Sequence, residues 1–158
     1  MNKAALIDLD GCLVNSLWSK TYVPIEEFDA EAFNERIPDF PLNTLIHNLL
    51  ISLEESGYSL YFLTARQKFM YANTKEWLQK LGWGDVPLVM RPEGDIRPDV
   101  EYKLDTYRKM KDYGVRAEFI IDDKMEIIQA FWEQEKIPGF CFVGGFSEHG
   151  SKKSFQSK

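Results

Sequence analysis

Ala4-Ala5-Leu6-Ile7-Asp8-Leu9-Asp10-Gly11 runs a small apolar strand straight into two carboxylates and a glycine that can turn the chain. Alternate residues of a strand point the same way, so Asp8 and Asp10 leave the sheet on one side while Leu9 turns back into the core. Two carboxylates so placed repel each other unless a cation or a shared proton relieves them. Asp and Gly are also common turn residues where strands end, so the pair alone reads equally well as turn chemistry. The rest of the chain has to decide.

Apolar runs of strand length recur at Ser59–Leu63, Pro87–Met90, Glu118–Ile121 and Phe140–Val143. Helical spacing fills the intervals. Leu42–Ser56 sets Leu45, Leu49 and Leu53 at i, i+4, i+8 and stops at Gly57; Gln67–Leu81 closes at Gly82. Asp99–Tyr113 opens after Pro98 and closes at Gly114, and Lys124–Lys136 ends before Pro138. Proline near a helix start and glycine just past its end are the expected punctuation. The alternation predicts an α/β fold with a mainly parallel five-stranded sheet and helices on both faces. Ligands of such folds sit beyond the carboxyl ends of the strands, near the switch in strand order.

Leu13–Pro41 is too long for a simple crossover and carries Trp18, Tyr22, Phe28, Phe33 and Phe40, with a short helix expected over Asp29–Arg36. It reads as a small insertion leaning over the strand ends, with an ordinary packed connection as the alternative. One domain over residues 1–146 and a flexible tail over 147–158 are expected.

A chain of 158 residues with 44% hydrophobic content can bury a real core. Net charge is −6, and without the basic stretch 144–158 the body carries −8. That is a poor match for an extended duplex-binding face, which needs clustered Lys and Arg. It leaves room for a small phosphorylated substrate. No apolar run has membrane-spanning length and the N-terminus lacks a signal-like segment, so cytoplasmic residence without a membrane partner is expected. Cys12 and Cys141 have no metal-ligand spacing and read as free thiols; His47 and His149 are too scattered for a zinc site.

Chemistry collects at the strand ends. In Leu63-Thr64-Ala65-Arg66 a hydroxyl sits at a strand tip, and the N–H groups of a following helix would cradle phosphate. Thr64 can also serve as a helix N-cap. Arg66 offers a guanidinium fork suited to phosphate, or else a solvated charge at a helix start. The next loop presents Arg91 and Arg97 and leads to Asp99 and Lys103, one helical turn apart. Those two form an ordinary surface pair unless they lie beside the carboxylates, where Lys103 would neutralise both a nucleophile and a phosphate. In Ile120-Ile121-Asp122-Asp123-Lys124 the second acid suits a helix N-cap, whereas Asp122 at the tip of an apolar strand needs a partner. If that strand neighbours the first, Asp122 joins Asp8 and Asp10 in an oxygen-rich pocket for a hard cation such as Mg²⁺.

The order Asp-x-Asp, Thr, Lys, Asp-Asp resembles the haloacid dehalogenase (HAD) superfamily of phosphatases. Its four motifs are matched by Asp8-Leu9-Asp10-Gly11, Thr64, Lys103 and Asp122-Asp123, and the resemblance extends to about Phe146. It is closer still to the phosphatase domain of phage-type polynucleotide kinases, through Leu63-Thr64-Ala65-Arg66, the Gly-Asp-x-Arg-Pro-Asp core before Lys103, and the helix after Asp123. The resemblance implies a Rossmann-like three-layer fold with a minimal cap, Mg²⁺ as cofactor, and hydrolysis of phosphate from nucleotides or nucleic-acid 3′ ends. It implies Asp8 as nucleophile, Asp10 as acid–base, and Asp8, Asp10 (through its main-chain carbonyl) and Asp122 as metal ligands, supported by Asp123. Thr64 and Lys103 would bind phosphoryl oxygens, with Ala65, Arg66, Arg97 and Asp99 on the substrate side.

Two departures stand out: Cys12 occupies a position usually held by Thr, and no Gly-x-x-x-x-Gly-Lys-Ser/Thr loop of a kinase occurs in these residues. Another small phosphomonoester stays open as the substrate, and so do two other classes. A phospho-accepting receiver domain uses similar groups, but there Lys follows the phosphorylated Asp and closes the set, whereas here Lys103 precedes the final acids. A silent nucleic-acid-binding module is disfavoured by the acidic body.

Overall fold

The computed structural model describes residues 3–15 and 28–142. Trp18 and Tyr22 of the expected insertion, Val143, His149 and the expected tail at 147–158 lie outside the described residues.

The elements in chain order are β1 (Lys3–Ile7), α1 (Ala30–Arg36), α2 (Thr44–Glu55), β2 (Tyr58–Gln67), α3 (Tyr71–Lys80), β3 (Leu88–Arg91), α4 (Asp99–Asp112), β4 (Ala117–Asp122), α5 (Met125–Glu135) and β5 (Gly139–Cys141). The five strands form one sheet in the order β3-β2-β1-β4-β5, every pairing parallel. This is the expected α/β architecture. Strand direction around β1 makes the chain build outward through β2 and β3, then return to β4 on the other side. The switch in strand order therefore falls between β1 and β4, where Ile7 is in register with Ile121.

Period-two alternation divides the core into two faces. Ala5, Ile7, Leu60 and Phe62 pack with Phe33 of α1, Ile46 and Leu50 of α2 and Trp77 and Leu78 of α3. Leu6 and Leu63 pack on the opposite face with Tyr102 and Tyr107 of α4 and Ile127 and Phe131 of α5. Both faces of β1 are thus covered, which is why it reads as a continuous apolar run.

Three local expectations are corrected. The strand expected to end at Leu63 continues through Thr64, Ala65 and Arg66 to Gln67, and a 3₁₀ turn over Lys68–Met70 precedes α3. Thr64 therefore caps no helix, and no helix N-terminus follows it directly. Pairing explains the extension: Gln67 is in register with Arg91 of β3, so the polar end of β2 still has a neighbour. On α2 only Leu53 of the expected stripe packs against the core. Leu45 is 66% exposed, while Ile46 and Leu50 are buried. Asn43 sets that rotation: its side chain donates to Cys12 O at 2.8 Å and accepts from Leu45 N, pinning the helix start to the loop after β1. Third, Asp123 is not the N-cap of α5; Lys124 holds that position, with no side-chain cap bond.

Candidate active site

The chain leaves β1 through a tight turn that aims the two acids. Asp8 still belongs to the ladder, its N–H donating to Ile121 O at 3.0 Å. Leu9 is fully buried in the core, as alternation requires, and its carbonyl accepts from Cys12 and Val14. Gly11 has φ +79°, and a Cβ there would stand 2.3 Å from an Asp123 carboxylate oxygen. Only glycine satisfies both the backbone angle and the approach.

Asp8 lies at the switch point beside Asp122, and Lys103 from α4 joins them. Its ammonium donates to Asp8 at 2.9 Å and to Asp122 at 2.6 Å, and the lysine is only 2% exposed. Asp122 uses its other oxygen to accept from Lys124 N at 2.9 Å. Asp123 completes the group, hydrogen-bonded to Asp8. One ammonium thus faces three crowded carboxylates, and the pKa directions follow. Burial, then the charge of Asp122, pushes the Asp8 carboxyl well above its ordinary range against the pull of Lys103. The same two causes lift Asp123 to about 6. Burial works against the charge on Lys103, but Asp122 and Asp8 outweigh it and hold the ammonium well above its usual range.

Asp10 is held from the other side. Arg66 grips both of its oxygens, Nε at 2.9 Å and Nη2 at 2.7 Å, while Nη1 donates to Thr74 at 3.0 Å. The guanidinium is almost fully buried, 5.3 Å from the Phe33 ring centroid and 5.6 Å from that of Phe40. Arg66 is therefore a positioning group for Asp10 and not a solvated charge. A bidentate fork fixes the plane of a carboxylate, and each oxygen keeps a lone pair free for a proton.

Further out, Asp99 bridges two cations. It accepts from Arg91 on one oxygen and from Lys124 Nζ, at 2.7 Å, on the other. Burial opposes its charge, yet the Lys124 hydrogen bond and charge hold its carboxyl below the ordinary range. A depressed folded-state pKa gives stability that is present above the unfolded value of 3.8 and lost as pH falls below it. Asp99→Asn is accordingly expected to cost about 2 kcal/mol at neutral pH. Urea unfolding from pH 7 down to pH 3 should show the gap between the two proteins closing as the solution becomes acidic.

Asp8, Asp10, Ala65, Arg66, Asp99, Lys103, Asp122 and Asp123 line one cleft at the strand tips. Two residues expected there do not line it. Thr64 is fully buried, its hydroxyl accepting from Arg66 N at 3.2 Å. Arg97 is turned outward onto Asp95 at 2.8 Å and Asp105 at 3.4 Å. Sequence reasoning overlooked Phe33, which lines the cleft and shields Arg66, and Lys124. Lys124 carried a signal, since it follows Asp122-Asp123 at the tip of an apolar strand.

A divalent cation fits this donor set. Ligand atoms of Asp8, Cys12 and Asp123 lie within 4.8 Å of one another among the described residues. Burial, followed by the charge of Asp8, pushes the Cys12 thiol well up, so the charged donors there are carboxylate oxygens. Surplus buried negative charge and hard oxygen donors suit Mg²⁺ better than a thiophilic metal. Asp122, expected as a ligand, accepts one hydrogen bond on each oxygen, from Lys103 and from Lys124 N, and keeps lone pairs for a cation; Asp123 joins Asp8 in the same acidic group.

A family model for the polynucleotide kinase PNKP phosphatase domain matches residues 2–142. No curated protein matches the chain. Among solved structures, a chain of the Pnkp1/Rnl/Hen1 complex aligns with TM-score 0.72 at 24% identity, covering 90% of this chain and 46% of that one. A second structure, of the Pnkp1/Rnl/Hen1 RNA repair complex, gives TM-score 0.74 at 24% identity, covering 90% and 42%. This chain thus spans less than half the length of either. A haloacid dehalogenase-like hydrolase from Streptococcus pneumoniae aligns with TM-score 0.58 at 16% identity, covering 96% of this chain and 90% of that one. These likenesses carry the fold, and the family model carries the kinship: the chain belongs to the PNKP phosphatase domain family of HAD phosphatases.

Proposed function

We propose that this domain hydrolyses phosphomonoesters with Mg²⁺, through a phosphoryl group carried on Asp8, and that its substrates are nucleotides or 3′-phosphorylated nucleic-acid ends. The observation that carries the reading is the pair of acids on one rigid strand tip, one gripped by Lys103 and the other by Arg66. Two carboxylates in such different surroundings can divide nucleophile and acid–base work between them.

In the first step an Asp8 oxygen attacks phosphorus as the ester oxygen departs with a proton from Asp10. In the second, water attacks the same phosphorus, gives its proton to Asp10, and phosphate leaves with Asp8 restored. Lys103 holds Asp8 in line and offers positive charge to the phosphoryl oxygens. Arg66 keeps Asp10 facing the ester oxygen through both steps. Asp8, Asp122 and the Asp10 carbonyl, supported by Asp123, would hold the cation, which when bound offsets the carboxylate charge and draws off charge developing on the phosphoryl oxygens. Thr64, buried behind Arg66, is assigned a bracing role, and Asp99 a role in fixing Lys124.

The substrate class rests on the family, described by its polynucleotide kinase, and on the RNA repair assembly in which the structural neighbour is found. No described helix is long and apolar enough to cross a membrane. Phosphate release should be measured across 3′- and 5′-nucleoside monophosphates, 3′-phosphorylated oligonucleotides and sugar phosphates, with Mg²⁺ or with chelator. Turnover that needs Mg²⁺ and favours 3′-phosphates is the expected result; chelator-resistant turnover, or none on any phosphomonoester, contradicts the reading.

A further inference from the structure

The reaction cleft is too small for a whole substrate. Its cavity volume is about 30 Å³, enough for roughly two waters at 10–15 Å³ each. A phosphoryl group can enter; the alcohol it esterifies must lie outside. By the same measure a groove of about 510 Å³ adjoins the cleft, and the two share Asp99 and Lys124 in their walls. The ion pair between those residues marks where one opens into the other.

The groove is lined in part by apolar side chains and carries balanced charge. Ile96, Pro98 and Val100 line it, and Ile96 stands 91% exposed. Its side chain is thereby open to apolar contact with a ring bound in the groove. The loop is braced: Arg97 N donates to Asp95 Oδ1 at 3.1 Å, Asp95 N to Pro92 O at 3.2 Å, and Arg91 Nη1 to Arg97 O at 2.8 Å. Every cation lining the groove already has a carboxylate. Arg91 and Lys124 bind Asp99, and Arg97 binds Asp95 at 2.8 Å. Glu126 adds a further acid. Such a surface offers no cation without a carboxylate partner to a second phosphate, and it offers apolar area to a flat, uncharged ring.

We propose that this groove seats the single nucleoside bearing the scissile phosphate, with its base lying against Ile96. The proposal rests on the nucleotide reading above and adds where specificity arises. It follows that one nucleoside suffices for recognition, and that a longer strand gains little from this surface.

The test compares kcat/KM for a 3′-nucleoside monophosphate with that for glycerol phosphate, which has no base, in the wild-type protein, Ile96→Asp and Ile96→Trp. Losing the apolar contact should lower the nucleotide-to-glycerol ratio roughly five- to tenfold in Ile96→Asp, mainly through KM. Ile96→Trp should raise it, since an indole stacks better on a base. Ile96 is exposed, so neither variant threatens folding. An unchanged ratio in both variants overturns the proposal while leaving the hydrolase reading intact. Absence of turnover on every ester in the wild-type protein overturns both.

Discussion

Asp8→Asn is expected to fold normally and to lose at least about a thousandfold in Mg²⁺-dependent phosphate release. The carboxamide fills the same space at the end of β1 but cannot attack phosphorus. Folding should not suffer, because Asp8 is buried among other carboxylates. Burial and the charge of Asp122 already push its carboxyl well above the ordinary range, so removing that charge relieves the cluster. The pair of outcomes is what makes the experiment informative: activity collapses while stability in chelator holds or rises. Parallel kinetics and urea unfolding on one preparation read both. A variant that loses activity and stability together would assign Asp8 to the scaffold instead.

Lys103→Met is expected to cost more stability than any other single change in the site. Lys103 is buried between Asp8 and Asp122, and its loss leaves two desolvated carboxylates facing each other. Removing one partner of a buried ion pair costs on the order of 3–5 kcal/mol. The loss should be largest at pH 8 and shrink toward pH 5, as the stranded acids take up protons. Combining Lys103→Met with Asp122→Asn should recover much of the stability, because a carboxamide needs no counter-charge. It should not recover turnover, since the phosphoryl oxygens still lack the ammonium. Denaturation of both variants at the two pH values, in chelator, checks the sign as well as the size.

The contrast between these variants separates what was legible in the chain from what was not. β1 and its acids could be read directly, because an apolar run that stops in Asp-x-Asp-Gly is a local pattern. The same holds for Ile120-Ile121-Asp122. Their meeting was only conditional, since strand order depends on pairing between residues more than a hundred positions apart, and β4 beside β1 had to be supplied as a supposition. The structure meets that condition. The partners of Arg66 were hidden for the same reason. Nothing near it in sequence says that its fork belongs to Asp10, 56 residues away, or that two phenylalanines cover it. The overlong β2 and the rotated α2 were lost to propensity and spacing alone: Gln67 stays in the sheet because Arg91 pairs with it, and Asn43 turns α2 because Cys12 offers a carbonyl. Arg97 looked like a phosphate ligand by charge, but two nearer aspartates claim it.

These placements give each acid a distinct setting on one rigid turn. Asp8 sits against an ammonium and further carboxylates; Asp10 sits in a guanidinium fork backed by aromatic rings. The central claim is that the phosphoryl group passes through Asp8 on its way to water. The most direct measurement is a single-turnover reaction with Mg²⁺ and a 3′-phosphorylated nucleotide, quenched in acid and mapped by peptide mass spectrometry, with Asp8→Asn alongside. The account predicts a phosphoryl adduct confined to the peptide carrying Asp8, absent from the variant, which releases no phosphate. An adduct on another residue, or undiminished phosphate release by a well-folded Asp8→Asn protein, would contradict it.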